Sequence, residues 1–171
     1  MTGQIISVDQ GCGLANRTIH DQLYYIRDYI DYYKETKKTA LLITIDQEKV
    51  FDRVHHNLLI KLLCKFNFGP MIIGQIKTIY KKMTSRLIIN GHVTNSFDIT
   101  RSVRQGDGLS MVLSIITAEL LAQIIRQDID IRPIRLPNTK PKKLTQYADD
   151  TTIMTDNISV FNDIDKCLER F

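Results

Sequence analysis

Gln146–Thr155 reads QYADDTTIMT, a strand ending at Tyr147, a turn at Asp149-Asp150 and a second strand through Thr151–Thr155. A β-branched run after an acidic turn, with a short stretch ending in Tyr147 before it, predicts neighbouring antiparallel strands. Well upstream, Thr39–Asp46 (TALLITID) is a brief apolar run that also finishes in a carboxylate, and it predicts a buried strand. Residues 110–127 are apolar with no internal Pro or Gly and predict a buried helix. Strands that end in acids, with a buried helix between them in sequence, set the framework for the remaining segments.

After Asn16, the positions Ile19, Leu23, Ile26, Ile30 and Tyr33 recur at steps of four and three, one face of a helix ending near Lys37. A second helix is expected over Asn57–Phe66, with Asn57 as its cap and Leu58, Leu59, Leu62, Leu63 and Phe66 facing inward. Gly69 ends it, and Pro70 opens a third helix running to about Lys82. Thr84–Thr100 predicts a hairpin turning at Asn90-Gly91, because Asn-Gly supplies the positive φ values of a type I′ turn. Pro133, Pro137 and Pro141 predict an exposed loop over 130–141, and a last helix starts at about Ser159. This order argues for one α+β domain over residues 1–171, an antiparallel sheet with helices packed on one face. A chain that stops inside a periodic helix is expected to be part of a larger protein.

The chain has 171 residues, 43% hydrophobic and 25% charged, with 8 Gly and 4 Pro, which excludes collagen-like, low-complexity and disordered classes. Charge is uneven: residues 77–104 carry six basic and one acidic residue, 126–143 six and two, and 144–171 two and six. Basic surfaces beside an acidic segment suit a polyanion held near a metal site, although a basic excess also serves as a solvated face. Cys12, Cys64 and Cys167 are widely spaced, with neither a disulfide framework nor a zinc pattern. The start lacks a signal-peptide pattern, and residues 111–125 are too short to span a bilayer and contain Glu119 and Gln123. The expected setting is intracellular, cytoplasm or nucleus, away from membranes. Asn16-Arg17-Thr18 and Asn157-Ile158-Ser159 are then expected to act in caps or turns.

Asp46, Asp149 and Asp150 at strand ends carry a desolvation cost and repel one another, and bound divalent cations offset both. Two Mg²⁺ ions held by carboxylates from different strands support in-line phosphoryl transfer. Any one of these Asp residues taken alone is equally at home as a structural turn residue.

Taken together, Leu-Ile-Thr-Ile-Asp46 through Phe51-Asp52, Arg104-Gln105-Gly106-Asp107 and Tyr147-Ala148-Asp149-Asp150 resemble the palm of reverse transcriptases, specifically those of non-LTR (LINE-type) retrotransposons. Asp21-Gln22 and the Ile89-Asn90-Gly91 hairpin resemble that family too, so the likeness covers nearly the whole chain. It implies an RNA-directed DNA polymerase fold of palm and part of the fingers, using two Mg²⁺ ions, with Mn²⁺ as a substitute. RNA template, DNA primer and deoxynucleoside triphosphates are the implied partners. Asp46 and Asp149 would hold the metals and Asp150 would assist. Phe51 would pack against the sugar of the incoming nucleotide and exclude a 2′-hydroxyl, although a Phe after a strand reads equally as core. Gln105 and Gly106 would line the nucleotide pocket, and they read equally as a turn before a helix. Lys77, Lys81, Lys82, Arg86, Arg101 and Arg104 are candidates for phosphate contact.

The sequence departs from the family pattern where Ser102 stands for a usual Gly, Gly108 and Met111 for usual Pro, and Gln47 for an aromatic or aliphatic residue. Those positions concern pocket shape more than ligands. A degenerate copy that at most binds nucleic acid is the alternative expectation. The family's first fingers segments, thumb and endonuclease are expected to lie outside these residues, leaving the piece weak or inactive by itself.

Overall fold

The structure, a computed structural model, describes residues 5–171. In chain order the elements are α1 (Ile19–Glu35), β1 (Leu41–Ile45), α2 (Val50–Arg53), α3 (His56–Lys65), α4 (Pro70–Tyr80), β2 (Thr84–Ser85), β3 (Ile88–Ile89), β4 (His92–Val93), β5 (Phe97–Asp98), α5 (Gly108–Gln127), β6 (Leu144–Tyr147), β7 (Asp150–Thr155) and α6 (Phe161–Arg170). The chain divides into two compact units. Residues up to Glu48 together with Thr117–Phe171 form the first, and Lys49–Ile116 form the second.

The first unit is built on an antiparallel sheet of order β1-β7-β6. β7 lies in the middle, and its consecutive residues Thr151–Thr155 are all buried, so both of its faces are covered. Ile153 packs with Leu121, Ala122 and Ile125 of α5, Leu144 of β6, and Ile164 and Cys167 of α6. Its neighbour Met154 packs with Tyr29 of α1, Ile134 and Leu136. Helices α5 and α6 thus share one face, while α1 and the 130–141 segment close the other, so helices cover both faces of the sheet rather than the single face expected. Each fully buried Leu or Ile here stabilises the fold by about 1.5–3 kcal/mol.

Three local expectations change on this sheet. β1 is an edge strand rather than a buried one: Leu41, Ile43 and Ile45 face the core, while Leu42 and Thr44 are exposed. The apolar stripe expected on α1 is rotated, with Gln22 and Tyr29 buried and Ile19 and Leu23 exposed. The Tyr29 hydroxyl lies 2.9 Å from the Leu41 carbonyl and 3.2 Å from that of Thr155, and these polar ties set which face of the helix turns inward. The 130–141 segment is not simply exposed, since Ile131, Ile134 and Leu136 are buried and Ile134 exchanges backbone hydrogen bonds with Lys142.

Local signals account for the second unit. His55, not Asn57, caps α3, its ring nitrogen accepting the Asn57 amide at 3.3 Å. Pro70 opens α4 as expected, but Gly69 is the N-cap of α4 rather than the end of α3, which stops at Lys65 with Phe66 as its C-cap. Asn90 and Gly91 take φ values of 50° and 81°, the type I′ turn joining β3 and β4 in the register Ile88–Val93 and Ile89–His92. The hairpin ladder is broken into two short pairs, β2–β5 and β3–β4. By length and composition the 20-residue α5 is apolar enough to cross a membrane, longer than the 111–125 stretch suggests. Its apolar positions Leu113, Ile116, Leu121 and Ile125 are buried within the protein.

Candidate active site

β1 and β7 run antiparallel with Ile45 opposite Thr151, so the next residue on β1, Asp46, comes alongside Asp150. β6 and β7 are joined by the Ala148-Asp149 turn, with Tyr147 opposite Asp150. Two strand pairings therefore bring Asp46, Asp149 and Asp150 to one end of one sheet, inside the first unit. Asp149 is half-buried, and Asp46 and Asp150 are exposed, more open than the strand-end desolvation argument expects. Burial, then the charges of Asp149 and Asp46, pushes the Asp150 carboxyl above the ordinary carboxylate range. That electrostatic coupling is the mark of acids facing a shared space.

The donor set is carboxylate oxygen throughout, suited to Mg²⁺ or Mn²⁺ rather than to a soft metal. Among the described residues no group of three His, Cys, Asp or Glu side chains is drawn together as a metal site. The fit lies in donor chemistry and placement at one sheet end.

The other sequence candidates lie in the second unit. Phe51 in α2 is half-buried, and its carbonyl accepts the Val103 amide at 2.8 Å, tying α2 to the strand-like approach to Gln105. Gln105 and Gly106 form an exposed turn. Gly106 sits at φ 84° with open space around its missing side chain, so the backbone angle rather than a close neighbour explains the glycine. Asp107 caps α5, accepting the Leu109 amide at 2.9 Å. Lys81, Lys82, Arg86, Arg101 and Arg104 are all exposed. A groove of about 760 Å³ is lined by His56, Lys61, Lys77, Tyr80 and Lys81 among others.

A profile of the family described as reverse transcriptase (RNA-dependent DNA polymerase) matches residues 6–171. The chain belongs to the reverse transcriptase family. It is 31% identical over 168 residues to the transposon TX1 uncharacterized 149 kDa protein of Xenopus laevis, spanning 98% of this chain and 13% of that protein. It is 27% identical over 132 residues to the retrovirus-related Pol polyprotein from type-1 retrotransposable element R2 of Popillia japonica, 77% of this chain and 21% of that protein. Both relatives come from non-LTR elements, and the chain spans only a small part of either. Among solved structures it resembles apo telomerase of Candida tropicalis, with TM-score 0.58 and 14% identity over 93% of this chain and 32% of that one. Telomerase of Candida albicans, in complex with a telomeric RNA fragment, gives TM-score 0.61 and 12% identity over 89% of this chain and 27% of that one. At these identities the likeness speaks to the fold, a palm-like α+β arrangement.

Reverse transcriptases generally use divalent metals, and the acidic sheet end is where this member gathers its carboxylates. What sequence reasoning missed is the support behind that end. Asp9–Gly11 lies beside β6, with the Gln146 amide donating to the Asp9 carbonyl at 2.7 Å and the Gly11 amide to the Gln146 carbonyl at 2.8 Å. Burial pushes the nearby Cys12 thiol up, Tyr147 and Ala148 oppose that by hydrogen bonding, and Asp149 adds to it. Arg17 holds the same segment by donating to the carbonyls of Ile6, Ser7 and Gln10. An Asp-Gln-Gly run before the first helix carries no periodicity, so no local signal marks it.

Proposed function

We propose that this chain is a single partial reverse-transcriptase domain, palm with part of the fingers, that extends a DNA primer on an RNA template. The convergence of Asp46, Asp149 and Asp150 through antiparallel register carries the reading. Asp46 and Asp149 would hold two Mg²⁺ ions, Mn²⁺ serving as a substitute, with Asp150 in support. When bound, such ions activate the attacking hydroxyl and stabilise the leaving oxygen of an in-line displacement. Phe51 stacks against the deoxyribose and rejects a 2′-hydroxyl, and Gln105 and Gly106 line the pocket for the deoxynucleoside triphosphate and template. The exposed Lys81, Lys82, Arg86, Arg101 and Arg104 neutralise phosphates of the duplex. Cytoplasm or nucleus is the setting for this reaction.

Primer extension on an RNA template with Mg²⁺, by a chain lengthened through a thumb, tests the reading. Loss of a group that merely supports a metal ligand costs about 10–100-fold, so Asp149→Ala should cost at least about a hundredfold. Full activity in that variant sinks the assignment.

A second reading, a decayed copy that at most binds nucleic acid, is favoured by Ser102, which takes φ 96° where the family pattern has Gly. Thermal stabilisation by Mg²⁺ or Mn²⁺ separates the two, because a decayed site gives none.

A further inference from the structure

The turn that presents Asp149 is in an unfavourable backbone state, since Ala148 sits at φ 56°, a left-handed angle that residues with a Cβ avoid. Nothing in the turn's own sequence offsets this; Ala is neither Gly nor Asn. The compensation comes from far away in the chain. The Gln10 side chain is fully buried, and its amide meets both backbone groups of Ala148: Nε2 donates to the Ala148 carbonyl at 3.0 Å, and Oε1 accepts the Ala148 amide at 2.9 Å. Oε1 also accepts the Cys12 amide at 3.0 Å, which orients the carboxamide. The Gln10 backbone is fixed in turn by its parallel bridge to Gln146 and by Arg17 donating to its carbonyl at 2.9 Å. A reciprocal pair of this kind imitates one rung of a β-ladder at the residue where β6 has ended. Sheet-like pairing thereby continues one position past the strand, and the chain must turn there.

We infer that Gln10 is a positioning residue for the acidic turn: its buried amide holds Ala148 left-handed and so sets where the Asp149 carboxylate starts. Gln10 touches no reacting group and acts only through the turn. The inference rests on the polymerase reading for its consequence, but its test does not depend on polymerase activity.

Backbone amide hydrogen exchange of the 171-residue chain is the primary measurement. In the unaltered chain the Ala148 amide should exchange within about tenfold of the β7 core amide of Ile153. Exchange of Ala148 at the rate of an open loop overturns the proposal, with no variant needed. In Gln10→Leu, which keeps the bulk and removes both hydrogen-bonding groups, Ala148 should exchange at least tenfold faster relative to Ile153. In the same variant, the Mg²⁺ concentration giving half of the thermal stabilisation should rise at least threefold. Gln22→Leu is the control, because Gln22 is also buried and bonds Thr145 rather than the turn. A merely structural role predicts that both variants loosen Ala148 and Ile153 alike, and that result overturns the proposal. If Mg²⁺ stabilises neither the parent chain nor the variants, the metal-binding part of the functional reading fails, and selective loosening of Ala148 still supports Gln10 as the clamp.

Discussion

Ser102 has a φ of 96°, a backbone angle that costs a residue with a Cβ about 1–3 kcal/mol. Its neighbours keep it there: the Ser102 amide donates to the Val54 carbonyl at 2.9 Å, and the His56 ring lies 2.8 Å from the Ser102 carbonyl. Glycine adopts this angle freely but loses about 0.5–1 kcal/mol more through the unfolded chain. The first term is larger, so Ser102→Gly should raise stability by about 1 kcal/mol in urea unfolding; a loss would mean that the serine is not strained. The substitution the family pattern disfavours is thus a conformational defect in the second unit. The contrast with Ala148 is instructive, because that left-handed residue has a dedicated side chain bonding both of its backbone groups.

Among the elements, α5 carries an acid where its apolar pattern predicts none. Glu119 is buried, pairs with Arg126 two turns further along the same face of the helix, and accepts the Ser7 amide at 3.3 Å. Arg126 also reaches Asp9 at 3.0 Å, which lies 3.6 Å from Lys142. This network fastens the segment containing Gln10 to the helix. Burial pushes the Glu119 carboxyl above its ordinary 4.5, and Arg126 chiefly opposes that. Arg126→Met leaves a buried charge without its partner and should cost about 3–5 kcal/mol near neutral pH. The sign with pH follows from linkage. With Arg126 gone the folded-state value rises further, the folded chain takes up a proton before the unfolded one does, and the deficit shrinks as pH falls towards 4.5. Urea unfolding of parent and variant at several pH values checks this, and a deficit that widens on acidification would contradict it.

Across the whole molecule, charge separates by unit. Lys49–Ile116 holds ten Lys and Arg against three acidic residues, whereas the remainder holds thirteen against sixteen. The cationic unit is the one suited to a phosphate backbone, and the anionic one bears the carboxylates. Replacing Lys81 and Lys82 together by Ala should weaken binding to an RNA–DNA duplex and reduce the salt slope of the affinity by about 2. An unchanged slope would remove these lysines from the interface. Much of this was legible in the sequence. The type I′ turn at Asn90-Gly91, the Pro70 helix start, the buried α5 and the acidic strand ends are each set by residues adjacent in the chain, through φ preference, hydrophobic period or capping. The rotated face of α1, the edge position of β1, the buried residues of the 130–141 loop and the Gln10 clamp were not legible. Each depends on which distant segments meet, and a Tyr hydroxyl or a Gln amide gains its partner only on contact. The sequence by itself determined the main helices and sheet strands and that carboxylates lie at strand ends, because those are short-range effects. Only the tertiary structure decided the register that draws Asp46 to Asp150 and the support that holds Asp149, because hydrogen-bond pairing between remote strands has no local signature.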